Sequence, residues 1–160
     1  MLKPAIAQYF ICREKWRRVL AIRVDLHIHV YFDNNARMSH LMKILIRKLK
    51  GVYNLKEVGY YWAREVEKSK KQHYHIMLFL DGNKVKHSSN VIRITKALWV
   101  ENWAGQHHIP TIKKPFKLGF DKSTDDKIIE RMSYFAKGRG KGYRNPQAKD
   151  YSTSRLNPVK

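Results

Sequence analysis

The segment from residue 57 to residue 80 constrains the fold most, because it contains two strand-like runs separated by a short polar link. The runs are EVGYYWAREVE at 57–67 and QHYHIMLFL at 72–80, and the link is KSKK at 68–71. A link of this length and polarity predicts an antiparallel hairpin. Because IMLFL is nearly all apolar, the second strand is predicted to lie in the centre of a sheet, with its histidines near one end.

The rest of the chain supplies more strands and helices. Residues 17–32 alternate between apolar and polar side chains and predict a strand. Residues 36–50 carry apolar side chains at helical spacing, with Gly51 as the expected C-terminal stop. Three further elements are predicted: helices at about 89–104 and 124–137, and a strand at 110–119. This order predicts an α+β fold with helices packed on a sheet.

Charge narrows the choice of partner. The chain has 33 Lys and Arg against 13 Asp and Glu, which gives a net charge of +20. A folded domain this basic attracts a polyanion, most often a nucleic acid. On composition alone, a ribosomal-type protein and a basic DNA-binding module without chemistry are the main alternatives to an enzyme.

Cysteine content and hydropathy exclude several classes. Cys12 is the only cysteine, so an internal disulfide and a zinc site built from cysteines are both excluded. No apolar run approaches the roughly 18 residues that a membrane helix needs. The N-terminal residues lack the order of a signal peptide. We therefore expect a cytoplasmic protein with no membrane contact.

A His-x-His pair in the second hairpin strand is the first candidate site. His73 and His75 project from one face of a strand, close enough together to hold one metal ion. Glu65 and Glu67 are two residues apart on the preceding strand, so they face the same side of the sheet. Either one can lie beside His73 or His75. We prefer Glu65. Two imidazoles and one carboxylate suit Mg²⁺ or Mn²⁺ that assists phosphoryl transfer. The alternative is that the two histidines simply lie on a half-exposed strand face and bind no metal.

The first strand carries a second His-x-His pair. Asp25, His27 and His29 lie on its polar face. This pair competes for the metal, but Asp25 is its only clear carboxylate partner, so we rank it below His73 and His75. These three residues are expected to line a DNA groove or to support the metal ligands from behind.

Tyr134 on the last helix is the second candidate. The apolar stripe of that helix contains Ile128, Ile129, Met132, Phe135 and Ala136. Tyr134 lies on the opposite, basic face with Arg131, and Lys137 follows at i+3, where side chains meet. A nearby ammonium group favours the phenolate and can hold phosphate. The alternative is a surface tyrosine whose ring packs on a neighbouring side chain.

Together these segments resemble HUH endonucleases. The similarity lies in HYH at 73–75, WAREVE at 62–67 and YFAK at 134–137. More closely, RVDLHIH, WARE, HYHIMLFLDG and ERMSYFAKG are similar to the replication initiators of filamentous phages (inoviruses). The resemblance runs from about residue 20 to 140. It implies a ferredoxin/RRM-like antiparallel sheet of about five strands, flanked by helices. It also implies an HUH domain at 1–140, followed by a basic tail at 141–160. The run GRGKGYRNP from Gly138 predicts that this tail is extended and mobile. Residues 5–12 are a candidate for the fifth strand.

The resemblance also implies an activity. His73, His75 and Glu65 would hold Mg²⁺ or Mn²⁺, Tyr134 would be the single nucleophile, and Lys137 would occupy the associated lysine position. Such an enzyme nicks single-stranded DNA through a 5′-phosphotyrosyl link and starts rolling-circle replication of a phage or plasmid-like element. The expected substrate is an origin hairpin, and host replication proteins are possible partners. A transposase or mobilisation relaxase of the same chemistry is the rival within the superfamily.

DNA contacts are expected around this site. Trp62 and Tyr61 are candidates for stacking on bases in a basic groove. Arg64 and Arg131 are further candidates for contacts with DNA.

Overall fold

Four helices and five strands make up the described part of the chain. A computed structural model describes residues 1–28, 31–66, 72–102, 116–117, 122–136 and 148–159. The helices are α1 (Leu2–Lys15), α2 (Ala36–Tyr53), α3 (Ser89–Asn102) and α4 (Lys122–Ala136). The strands are β1 (Val19–Ile28), β2 (Gly59–Val66), β3 (Gln72–Asp81), β4 (Phe116–Lys117) and β5 (Tyr151–Thr153).

The strands form one antiparallel sheet with the order β4-β1-β3-β2-β5. The predicted α+β class, with helices flanking a sheet of about five strands, is confirmed. The predicted hairpin is β2 paired with β3, and β3 lies in the centre of the sheet. None of the helices in the described ranges is both long and apolar enough to cross a membrane.

Side chains alternate between the two faces of the sheet, and each face has its own core. Even-numbered residues of β1, such as Ile22 and Val24, pack with α2 and α3. Odd-numbered residues, such as Ala21, pack on the other side, where the apolar side chains of α1 and α4 cover the sheet. Period-2 alternation therefore separates the molecule into an α2/α3 side and an α1/α4 side.

The N-terminal segment forms a helix, so the expectation of a strand at 5–12 is wrong. The residues of α1 that are buried are Ala5, Gln8, Tyr9 and Cys12, a spacing typical of one helix face. Pro4 lies in the first turn, where its missing N–H removes no helical hydrogen bond. The segment thus covers the sheet instead of extending it.

The fifth strand comes from the C-terminal segment, within the range 141–160 that was expected to be a mobile tail and of which residues 141–147 lie outside the described part of the chain. β5 pairs with β2. Ser154 is buried and its hydroxyl donates to Gln8 Oε1 at 2.8 Å. The amide of Leu156 donates to the same oxygen, also at 2.8 Å. These bonds join the end of the described chain to α1 and make it part of the domain.

The end of α2 differs from the predicted stop at Gly51. The helix continues through Gly51 to Tyr53, and Asn54 adopts the left-handed conformation with φ 50°. Leu55 N–H then donates to the carbonyl oxygen of Lys50 at 3.1 Å. Asparagine tolerates this conformation because its short polar side chain can bond locally, so it ends the helix in place of glycine.

Gly59 at the start of β2 gives a test of packing on the α1/α4 side. A Cβ atom there would overlap Cys12 Sγ and lie 3.1 Å from Phe79 Cβ. We expect Gly59→Ala to lower the free energy of unfolding by about 1–3 kcal/mol, as overpacking does. In a Cys12→Ala background, which removes the sulfur, the same change should cost clearly less. Urea unfolding of all four proteins measures the coupling.

Gly51 provides the matched control for this experiment. Nothing lies within 4 Å of a Cβ added at that position, which is an exposed helical site. We expect Gly51→Ala to raise stability by up to about 1 kcal/mol through helix propensity. Equal costs of Gly59→Ala with and without the Cys12 sulfur would contradict the packing described here.

Candidate active site

Two neighbouring rows of polar residues cross strands β1, β3 and β2 on the α1/α4 side of the sheet. One row contains His27, His73 and Glu65. The next row contains Asp25 and His75, and the apolar Ala63 lies at its end. Directly opposite residues in an antiparallel sheet lie about 5 Å apart, so side chains within each row meet, and the contact between His75 and Glu65 joins the two rows. The first-strand cluster and the HYH pair are therefore parts of a single constellation.

His75 lies between two carboxylates. Its Nδ1 is 2.9 Å from Asp25 Oδ1, and its Nε2 is 3.2 Å from Glu65 Oε2. Asp25 also accepts two hydrogen bonds from the Arg23 guanidinium, at 2.9 and 3.0 Å. Burial alone would raise the pKa of Asp25, but the bonds from His75 and Arg23 outweigh it and lower the pKa to about 2. Asp25 is thus a fixed anion at neutral pH that orients the imidazole of His75.

His73 faces β1. Its Nδ1 lies 2.6 Å from Nδ1 of His27, and the two rings meet edge to face. Two nitrogens at this distance share one hydrogen, because one must donate to the other. The two His-x-His motifs thus contact each other directly through one histidine from each strand.

The donors around His75 fit a hard divalent cation in part. Neighbouring ligands of an octahedral ion with bonds of about 2.1 Å lie about 3 Å apart, close to the spacing of His75 Nε2 and Glu65 Oε2. A carboxylate behind the ligating imidazole, here Asp25, is the usual support for such a histidine. Across the described residues, however, no three His, Cys, Asp or Glu side chains converge as a metal site. Of the three predicted ligands, His75 and Glu65 contact each other, and His73 Nδ1 faces His27.

Helix α4 lies over this face of the sheet. Its predicted core stripe is confirmed for Ile128, Met132 and Phe135, which are buried. The Phe135 ring stacks on His75, with centroids 4.9 Å apart and planes 8° from parallel. The Arg23 guanidinium lies 4.7 Å from the centroid of the same ring. Tyr134, the adjacent residue, has half of its surface exposed.

The first turn of α4 is tied to α1. Arg13 Nε lies 2.9 Å from Asp125 Oδ1, and the buried Tyr9 hydroxyl donates to the same oxygen. An acidic residue in the first helical turn also suits the positive end of the helix dipole. These bonds fix α4 at one end, and the Phe135 stack fixes it near the other.

Three buried tyrosines of the described chain are poorer nucleophiles. Burial raises the pKa of Tyr9 and Tyr61 far above the ordinary value and that of Tyr74 to about 12. A raised pKa disfavours the phenolate that attacks phosphorus. The exposed position of Tyr134 distinguishes it from these three phenols.

Several residues expected to contact DNA are buried, so those expectations are wrong. Tyr61 and Trp62 have 0% and 3% of their surface exposed, and neither ring is accessible for stacking on a base. Arg64 is 1% exposed and donates to the backbone oxygen of Phe32. Asp25 is equally buried and supports His75 from behind.

The remaining candidates divide into two groups. Arg131 is exposed on α4, one turn before Tyr134, and keeps its place as a candidate for DNA contact. His29, Glu67 and Lys137 lie outside the described residues.

Two residues at the site were missed by sequence reasoning. Arg23 was not predicted to belong to the site. It lies within an apolar strand, two residues before Asp25, and a cation in that position indicates a buried ion pair. Phe135 was assigned to the core alone, and its contact with His75 depends on the packing of α4, which periodicity cannot predict.

Comparison with known proteins gives one match. The family model described as the YagK/YfjJ C-terminal domain matches residues 8–151. No curated protein matches the chain, and no solved structure matches it. The matched range runs from α1 to the first residue of β5 and so includes both polar rows and α4. Since the match covers most of the chain, the protein belongs to the YagK/YfjJ C-terminal domain family.

Proposed function

We propose that the protein is a metal-dependent endonuclease that nicks single-stranded DNA, with Tyr134 as the nucleophile. The observation that carries this proposal is the stack of Phe135 on His75. It holds α4 against the polar rows, so an exposed phenol and an imidazole-carboxylate pair occur on the same side of the sheet. A phosphodiester transfer by a tyrosine needs both groups on one side.

The resemblance to HUH endonucleases supports the same activity. On that likeness, His73 would join His75 and Glu65 as a ligand of Mg²⁺ or Mn²⁺, and Lys137 would assist Tyr134. Because the sequence is similar to the initiators of filamentous phages, the proposed role is the initiation of rolling-circle replication. The enzyme would act in the cytoplasm on a replication-origin hairpin, with host replication proteins as partners.

The chemistry follows from the roles of the side chains. His73, His75 and Glu65 would hold the divalent cation, which would supply positive charge to the scissile phosphate. Asp25 accepts a hydrogen bond from His75 Nδ1–H, which would leave the Nε2 lone pair available to the cation beside Glu65. The half-exposed Tyr134 phenol releases its proton to water as its oxygen bonds to phosphorus. The bond from phosphorus to the 3′ oxygen breaks, and that oxygen takes a proton from water and leaves as a hydroxyl.

Both products have a use in replication. The free 3′ hydroxyl can prime DNA synthesis. The phosphotyrosyl bond on the 5′ side keeps the energy of the broken phosphodiester for later strand joining. A transposase or relaxase would use the same steps on a different substrate, namely terminal hairpins or a transfer origin.

A direct experiment is incubation with a pool of single-stranded oligonucleotides and Mn²⁺, followed by denaturing gels and mass spectrometry. We expect a covalent adduct that EDTA prevents. Trypsin cuts after Arg131 and Lys137, so the adduct should lie on the peptide MSYFAK, which contains Tyr134 as its only tyrosine. An adduct on another peptide would reject Tyr134. Binding without any adduct, unaffected by EDTA, would favour a non-catalytic nucleic-acid-binding module.

A further inference from the structure

Helix α2 carries a row of positive charge on its outer surface. It contains five Lys and Arg and no Asp or Glu in its 18 residues. Lys43, Arg47 and Lys50 are exposed at spacings of four and three residues, which places them along one line of the helix. The buried residues of the helix are Met38, Leu41, Met42, Leu45 and Leu49. Lys43, Arg47 and Lys50, here called the α2 basic stripe, point away from that buried face.

The charge is distributed unequally between the two sides of the sheet. Helix α4, beside the candidate active site, has three basic and three acidic residues. Helix α3, which packs beside α2, adds Arg93 and Lys96 against one acid, Glu101. Helix α1, on the same side as α4, has three basic residues against one acid, so the helices carry a net charge of +2 on the α1/α4 side and +6 on the α2/α3 side, away from His75.

Ion pairs do not hold the stripe in place. Within the described ranges, none of its three side chains forms an ion pair with a carboxylate. Like charges three or four residues apart on a helix repel and destabilise it. An anion bound along the stripe would relieve this repulsion, so the arrangement suits a partner that carries regularly spaced negative charge.

Spacing and composition indicate which polyanion fits. The helix rises about 6 Å from Lys43 to Arg47 and about 4.5 Å from Arg47 to Lys50, so the cations form a short, straight row on a rigid element. Surfaces that bind single strands combine cations with aromatic rings on which bases stack. The stripe has no aromatic member, and the nearest tyrosine of α2, Tyr53, is partly buried and accepts a hydrogen bond from Asn90. Cations without stacking rings suit the backbone of a duplex.

We propose that the α2 basic stripe is a second nucleic-acid-binding surface, which contacts the phosphate backbone of duplex DNA on the side of the sheet opposite His75. The contact is independent of sequence, because it reaches phosphates and no base edges. The proposal goes beyond the nicking activity and does not depend on it.

The test is charge reversal of the stripe with a matched control. The variant K43E/R47E/K50E is compared with K3E/K56E/K86E, which changes the net charge equally at three exposed lysines elsewhere. Fluorescence anisotropy of a labelled blunt duplex, measured over a range of salt concentrations, gives affinity and salt dependence. For the stripe variant we expect at least a tenfold loss of affinity at low salt. Its log–log salt slope should be about 2 to 3 units shallower, at about 0.9 per lost phosphate contact.

Each other result rejects the proposal. If the control loses as much affinity as the stripe variant, the effect is one of net charge and the surface is not specific. If the stripe variant binds duplex as tightly as the unaltered protein does, the assigned partner is wrong. The same holds if the unaltered protein binds anionic phosphatidylserine vesicles more tightly than duplex and only the vesicle binding is lost in the variant. Circular dichroism checks the fold, and K43Q/R47Q/K50Q replaces the triple Glu variant should the latter fail to fold. Adduct formation at Tyr134 on a short single strand should be unchanged, so a failure of the nicking proposal is seen separately.

Discussion

Tyr134→Phe is expected to abolish the covalent protein–DNA adduct while leaving DNA binding largely intact. The change removes one oxygen from a half-exposed ring, so it should alter stability by no more than about 0.5 kcal/mol. Without that oxygen no phosphotyrosyl bond can form, and the cleavage rate should fall by at least about a thousandfold, as it does when other covalent enzymes lose their nucleophile. Denaturing gels with a labelled oligonucleotide measure the adduct, and anisotropy measures binding.

Tyr53→Phe is the matched control for this variant. Tyr53 is a partly buried tyrosine at the end of α2, on the far side of the sheet, and its hydroxyl accepts a hydrogen bond from Asn90. This change should leave adduct formation as in the unaltered protein. Persistence of the adduct in Tyr134→Phe would mean that another residue attacks the phosphate.

Replacement of both His73 and His75 by Ala is the second change with a large expected effect. It removes the imidazole that lies between Asp25 and Glu65 and the one that contacts His27. Loss of a supporting residue alone typically weakens a metal site 10–100-fold, so loss of two ligands should exceed about a hundredfold. We expect Mn²⁺-dependent nicking to disappear at all metal concentrations tested. Cleavage assays across a Mn²⁺ series, with calorimetry of Mn²⁺ binding, measure both properties.

His40→Ala is the control for general effects of histidine removal. His40 is an exposed residue of α2, on the other side of the sheet, and its loss should change neither metal binding nor nicking. Unchanged cleavage in the double variant would place the metal at His27 and His29, or show that the reaction needs no metal.

Local patterns predicted the parts of the site that depend on neighbouring segments. The short link at 68–71 indicated the β2–β3 hairpin, and with it a carboxylate beside the HYH pair, which the structure provides as Glu65 opposite His73. Helical periodicity put Phe135 in the core of α4 and left Tyr134 outside. These features depend on spacings of a few residues, which sequence reveals directly.

Contacts between distant segments were beyond the reach of such patterns. The bond between Asp25 and His75 joins residues 50 positions apart and depends on the pairing of β1 with β3. Trp62 was misassigned for a different reason. In a strand, positions 62 and 65 differ in parity and point to opposite faces, so Trp62 belongs to the core beneath α2 and α3. The alternation of side chains along the strand was enough to exclude Trp62 from the predicted DNA-binding groove.

The chain ends were the least predictable parts. β5 has only three residues, too few for a periodic signal, and its place is fixed by β2 and by Gln8, which belong to distant parts of the sequence. The helical spacing in α1 was present in the sequence but is weak, because its buried set includes the polar Gln8 and small Ala5. Tertiary packing decided both segments.

The position of β5 bears on how the chain can be shortened and when it can finish folding. Ser154 bonds to Tyr60 across 94 residues of sequence, so the outer edge of β2 stays open until that late segment has been synthesised. A fragment cut after residue 140 would keep the polar rows yet expose the unpaired amides and carbonyls of β2. Such an edge recruits strands from other copies, so self-association is the hazard of trimming the protein to the range suggested by its motifs.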